Sequence, residues 1–370
     1  MKFLKRQKKF PGRLIVHIGD HKAGSSTIQR ALGRGDVTLK DGTICYPLVE
    51  DMWHHNGLQP SLRAEMRTGG PPKMHLDRFR QLSMIARKEN ADVTILSAEA
   101  LEYIDKSRLL EKIEKTFGAT PDQIQFVTYL RPHFERFQST LAERIKIGWL
   151  PWDIRSHYAD NFDEFPGKLI LYADRLAAAR NALGDSYIVR PMVRRELHDG
   201  DLLTDFFACT LGPDRISFTD TTRANESLSI QDLMRLHVMH HALPELSKHQ
   251  HLALGWALSS LFPVSGPANE TPARLQLPKE MAERTHKTCL EDARRVDVEW
   301  FDGRKIMEDA LDRAVEKAPT ETQSLFPEDW LSSEEIRTIR AFAKSLGELA
   351  DGTGRWITQI DRITTRAQLS

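Results

Sequence analysis

Cysteine is scarce in this chain: Cys45, Cys209 and Cys289 are the only three in 370 residues. An odd and widely spaced set gives neither a disulfide framework nor a zinc-ligand pattern, so a reducing, cytoplasmic setting is expected. Long apolar runs are also missing. No stretch approaches the roughly 18 apolar residues of a membrane span, and the basic start MKFLKRQKKF leads into Pro11-Gly12 rather than an apolar core. Neither a transmembrane segment nor a signal peptide is expected. Excess charge of one sign is absent as well, since Lys+Arg and Asp+Glu number 52 each. That balance argues against a basic groove for nucleic acid while allowing a local cationic pocket. With 40% hydrophobic residues, the length suits one large α/β domain with helical additions.

What is present is concentrated first in LIVHIGDHKAGSSTIQRAL, residues 14–32. Leu14, Ile15, Val16 and Ile18 form the short, mostly β-branched run of a buried parallel strand. Gly19 and Gly24 bracket a tight loop, and Ser25, Ser26 and Thr27 stand where a helix begins. Amides at a helix N-terminus, with the helix dipole behind them, make this a place for an anion. The loop nearly matches the ATP-binding pattern G-x-x-x-x-G-K-[ST]. Its lysine is displaced: position 25 is serine, and the loop lysine is Lys22.

The order His21-Lys22-Ala23-Gly24-Ser25-Ser26 resembles the 5′-phosphosulfate loop of sulfotransferases that use 3′-phosphoadenosine 5′-phosphosulfate (PAPS), usually Lys-[Thr/Ser]-Gly-Thr-Thr. Ala23 departs from it by lacking a hydroxyl. A second stretch, IQFVTYLRPHFERFQSTLAERI, has a strand-like run at 124–130, then Arg131, then Ser139 eight positions later on an expected helix. It resembles the 3′-phosphate site of the same family, where a guanidinium fork and a hydroxyl grip the phosphate that distinguishes PAPS from ATP. The resemblance implies a P-loop-type parallel sheet flanked by helices, with Lys22, Ala23, Gly24, Ser25, Ser26, Thr27, Arg131 and Ser139 binding PAPS as co-substrate. It also implies that removing Arg131 costs affinity for the 3′-phosphate and scarcely affects a nucleotide lacking it. A similar Asn-x-Ser-Leu-Ser run at 225–229 extends the resemblance, which fades by about Gly303. The expected organisation is a basic tail at 1–12, a sulfotransferase-like α/β domain over 13–303 with a helical later part, and a helical extension over 304–370.

The expected chemistry is in-line transfer of a sulfuryl group to a hydroxyl or amine of a small-molecule, glycan or lipid acceptor. Lys22 would neutralise charge on the leaving phosphate oxygen, and no metal is required, because a sulfuryl group carries less negative charge than a phosphoryl group. Two residues are candidates to accept the acceptor's proton. Glu99 follows a strand at 93–96, at the end where parallel sheets bind ligands; its alternative is an acid favouring the dipole of the 100–104 turn. His55 sits beyond an irregular crossing at 43–49, and its alternative is a packed ring beside Trp53. A catalytically silent nucleotide-binding protein and a nucleotide kinase are the rival functions. The Gly148–Trp152 break is read as the start of a cover over the acceptor. In the helical tract 230–261, His237, His240 and His241 share one face, and with no cysteine or carboxylate partner at ligand spacing they are read as packed or exposed rather than zinc-binding.

Overall fold

The computed structural model describes residues 10–49, 52–68, 73, 77–161, 170–219, 228–262 and 272–350. Most of the basic tail, residues 225–227 of the Asn-x-Ser-Leu-Ser run and the last twenty positions lie outside the described residues. The chain divides into two compact units, Met1–Pro132 with Tyr172–Thr222, and His133–Leu171 with Arg223–Ser370.

The first unit runs β1 (Arg13–His17), α1 (Ser25–Arg34), β2 (Val37–Leu39), β3 (Ile44–Cys45), α2 (Leu58–Thr68), α3 (Arg78–Glu89), β4 (Val93–Ser97), α4 (Lys106–Phe117) and β5 (Ile124–Leu130). After α5 (His133–Lys146) and α6 (Ile154–Asn161), which belong to the second unit, it resumes with α7 (Ala173–Leu183), β6 (Tyr187–Pro191), α8 (Leu202–Leu211) and β7 (Ile216–Phe218). Five strands form a parallel sheet in the order β3-β4-β1-β5-β6. The fold is α/β, with the sheet flanked by helices. β1 is central and shielded on both faces, which is why its apolar residues run on without alternating. Ile15, Ile95, Val127 and Tyr129 pack against Ile28 and Leu32 of α1 and Phe206 and Phe207 of α8. Each such buried side chain contributes about 1.5 to 3 kcal/mol.

The crossing expected to be irregular at 43–49 contains an edge strand instead. Ile44 and Cys45 pair with Val93 and Thr94, and the Asp92 carboxylate fixes the turn before them by accepting the Thr43 N–H and hydroxyl at 2.8 and 2.9 Å. Two residues are too few to show a strand period.

The second unit continues with α9 (Ile230–His241), α10 (Lys248–Leu261), α11 (Lys279–Trp300), α12 (Ile306–Lys317) and α13 (Ser333–Ala350). The helices α11 and α12 lie on either side of the boundary expected at 303 and are tied together, with the Asp297 carboxylate accepting the Met307 and Glu308 amides at 2.8 and 3.0 Å. The histidine face of α9 has a structural task. Nε2 of His240, His241 and His237 donates to the carbonyls of Lys146, Leu150 and Trp152 at 2.8, 3.0 and 3.2 Å. The three rings thus pin the Gly148–Trp152 break that follows α5. Gly148, at φ 69°, is required there because a Cβ would lie 2.5 Å from the His240 ring. Among the described residues no group of three or more His, Cys, Asp or Glu is arranged to hold a metal, and no helix is long and apolar enough to cross a membrane.

Candidate functional site

The register of three strands builds the candidate site at the C-terminal edge of the sheet. β1 ends with His17 opposite Ser97 of β4 and Val127 of β5. The chain leaving β1 therefore runs beside Ala98 and Glu99 on one side and the last three residues of β5 on the other. Hydrogen bonds continue this pairing past the strand: the Ile18 amide donates to Val127 at 2.8 Å, and the Thr128 hydroxyl donates to the Ile18 carbonyl at 2.8 Å.

The loop then closes by local geometry. The Ala23 amide donates to the Asp20 carbonyl at 3.1 Å, Lys22 adopts φ 65° and Gly24 φ 81°. Gly24 caps α1 in the left-handed conformation, and no side chain caps that helix. A Cβ at Gly24 would sit 2.2 Å from Leu202 Cδ2, so this position requires glycine for space as well as for dihedral angle. Ala23 is 1% exposed and packs in the core cluster with Leu202 and Phe206, which accounts for the missing hydroxyl: here it would enter an apolar environment. Ser25 is buried, whereas Lys22, Ser26 and Thr27 are half-buried.

Arg131, immediately after β5, reaches this loop. Its Nη1 donates to the Lys22 carbonyl at 3.0 Å, bringing together the two stretches singled out in the sequence. Glu99 reaches it as well, with Ser25 Oγ donating to Glu99 Oε2 at 2.8 Å. Gly19 permits that contact, because a Cβ there would lie 3.2 Å from both Glu99 Cβ and Ser25 Cβ. Glu99 opens the short 3-10 turn Glu99–Leu101, so its expected position beyond β4 and its alternative as a helix-start acid describe one place.

His55 is placed differently. Its Nδ1 accepts the Ser97 amide at 2.9 Å, and its Nε2 donates to the Pro47 carbonyl at 2.6 Å. Both nitrogens are engaged by backbone, and burial lowers its pKa to about 4. To take a proton the ring would have to give up the Ser97 amide, so its position is that of the packed ring. Ser139 lies half-buried on α5 in the second unit, and its role rests on the resemblance alone.

Beneath the loop lies a charged layer that sequence reasoning missed. Arg175 of α7 binds Asp20 bidentately, at 2.8 and 2.7 Å, with the carboxylate fully buried. Glu102 Oε2 accepts the His21 amide at 2.9 Å and faces His21 Nδ1 at 2.6 Å, while its Oε1 lies 3.5 Å from Arg175. Lys106 donates to the carbonyls of Leu101, Glu102 and Ile104 and so closes the turn carrying Glu99 and Glu102. Burial holds its pKa down at about 8. No local signal in the sequence announces a pair such as Asp20 and Arg175, separated by 155 positions.

The Arg131 guanidinium, the start of α1 and the Glu99 carboxylate converge on the loop that carries Lys22. Chemically this suits an anionic ligand whose neighbour must lose a proton. The sequence matches no described protein family. No curated protein matches it either. Among solved structures the chain is similar to the sulfotransferase from Alicyclobacillus acidocaldarius, at 10% identity and a TM-score of 0.40, over 78% of this chain and 94% of that one.

Proposed function

We propose that this chain is a sulfotransferase that moves a sulfuryl group from PAPS, in line, to a hydroxyl or amine of a small-molecule, glycan or lipid acceptor. One observation carries the reading: two sequence stretches that separately resemble the family's phosphate sites meet in space, Arg131 donating to the carbonyl of Lys22. The donor set fits an anionic nucleotide. Lys22 stabilises charge growing on the leaving phosphate oxygen, the start of α1 with Ser26 and Thr27 holds the 5′ side, and Arg131 takes the 3′-phosphate. Glu99 accepts the acceptor's proton, since of the two candidate bases it is the one whose side chain meets the loop.

Equilibrium titration tests the nucleotide class. Adenosine 3′,5′-bisphosphate should bind more tightly than ADP, with and without magnesium. Tighter, magnesium-dependent ADP binding would point to a kinase and reject the proposal. Incubation with PAPS and fractionated extract, followed by mass spectrometry for a metabolite gaining a sulfo group, tests turnover. Tight bisphosphate binding with no sulfated product from any fraction would favour a silent binding protein.

A further inference from the structure

The structure assigns Arg131 a second task, which rests on the reading above: it positions the phosphate loop, so that the two phosphates of one nucleotide are bound cooperatively through a single side chain. Among the described residues five non-glycines have positive φ: Lys22, Asn90, Asp199, Asp214 and Asp302. Four are Asn or Asp, whose short polar side chains tolerate the left-handed region. Lys22 has no such tolerance, and it stands in the middle of the loop. Its conformation requires outside support, and the Arg131 Nη1 bond to its carbonyl, 3.0 Å long, supplies it. The peptide held in this way carries the Ala23 amide, which closes the turn onto Asp20. Arg131 can serve as a fixed post because its own backbone is anchored: its carbonyl accepts the Tyr172 hydroxyl at 2.5 Å, and the preceding Leu130 carbonyl accepts the Met192 amide at 2.7 Å. A guanidinium presents five N–H donors in a rigid fork, enough to hold a carbonyl and a phosphate together.

A residue that served only the 3′-phosphate would leave a 5′-monophosphate untouched. The coupling inferred here predicts otherwise. In calorimetric titrations, Arg131→Ala should weaken adenosine 5′-monophosphate by roughly tenfold, the loss of one bond to a charged group, and adenosine 3′,5′-bisphosphate by roughly a hundredfold or more, because both contacts go. In the free protein, hydrogen exchange at the Ala23 amide should accelerate while β1, β4 and β5 stay protected. Unchanged 5′-monophosphate affinity alongside weakened bisphosphate binding overturns the inference and leaves the proposed function standing. The reverse failure is distinguishable, since wild-type protein that binds the two nucleotides equally rejects the proposed function, while a 5′-monophosphate loss in the variant still supports the positioning role. Faster exchange throughout the first unit would mean that Arg131 merely supports the fold and also overturns the inference. If Arg131→Ala does not fold, Arg131→Lys keeps the charge without the fork, and 5′-monophosphate affinity equal to wild type is the overturning result there too.

Discussion

The loop at the start of α1 and the histidine face of α9 both use polar side chains to hold a chain reversal, and they do so in opposite ways. At the loop, charged groups from separate segments converge: Arg131 on a carbonyl, Glu99 on a hydroxyl, Glu102 on an amide and a ring, and Arg175 behind them. At α9, three imidazoles each direct Nε2 to a backbone carbonyl. At the loop, then, the charges come from separate segments, whereas at α9 the Nε2 atoms of one helix face are taken up by backbone carbonyls.

The sharpest way to break this contrast is Glu99→Gln. It keeps the shape and removes the base, so with an identified hydroxyl acceptor turnover should fall by about a hundred- to ten-thousandfold, with nucleotide affinity nearly intact; His55→Ala should cost less turnover. A larger loss for His55→Ala would transfer the role to that ring. Lys22→Ala comes next. Removing one preorganised stabiliser of developing charge should lower turnover by about a hundred- to a thousandfold, with little change in melting temperature, and unchanged turnover would reject its assignment.

On the other side of the comparison, His240→Ala should leave nucleotide affinity alone and cost about 1 to 3 kcal/mol of stability, since it strands the Lys146 carbonyl. Denaturant unfolding measures it, and a matching drop in bisphosphate affinity would mean that the histidine face belongs to the binding site after all. The same face should also show in the pH dependence of stability. Burial lowers the pKa of His237 and His240 from 6.5 to about 4. Between those values the unfolded chain binds more protons, so the stability these rings contribute is complete above about pH 6.5 and lost as pH falls towards 4. Each ring adds at most about 1.4 kcal/mol per pH unit inside that window. His237→Gln should flatten the slope, and an unaltered slope would show that the ring is not the titrating group.

Much of the sheet was legible because its signals are local. The runs at 93–96 and 124–130 fall on β4 and β5. The tract 230–261 is two helices rather than one, because Ser247 and Gln250 form a capping box that restarts the chain. The antiparallel pairing of β2 with β7 joins segments far apart in sequence, and no periodicity could reveal it. The candidate site divides along the same line. The loop and Arg131 stand out by motif and Glu99 by its place after β4, whereas Glu102 meets the loop only through the parallel register that brings β4 beside β1.

The unequal length of β1 and β5 has a consequence for insertions and deletions. β5 runs three residues past the last one it pairs with on β1, to Leu130, an overhang of about 10 Å at the usual rise per residue. That overhang carries Arg131 out to the level of the loop. A strand wrapped in apolar side chains on both faces can absorb the loss of one residue from the overhang and still pair, but every later side chain then switches faces. The arginine would be kept, correctly spelled, and aimed at the wrong side of the sheet. Inheritance of this site depends on a count as much as on an alphabet, and a single in-frame codon deletion in the strand should abolish it while leaving every motif residue in place.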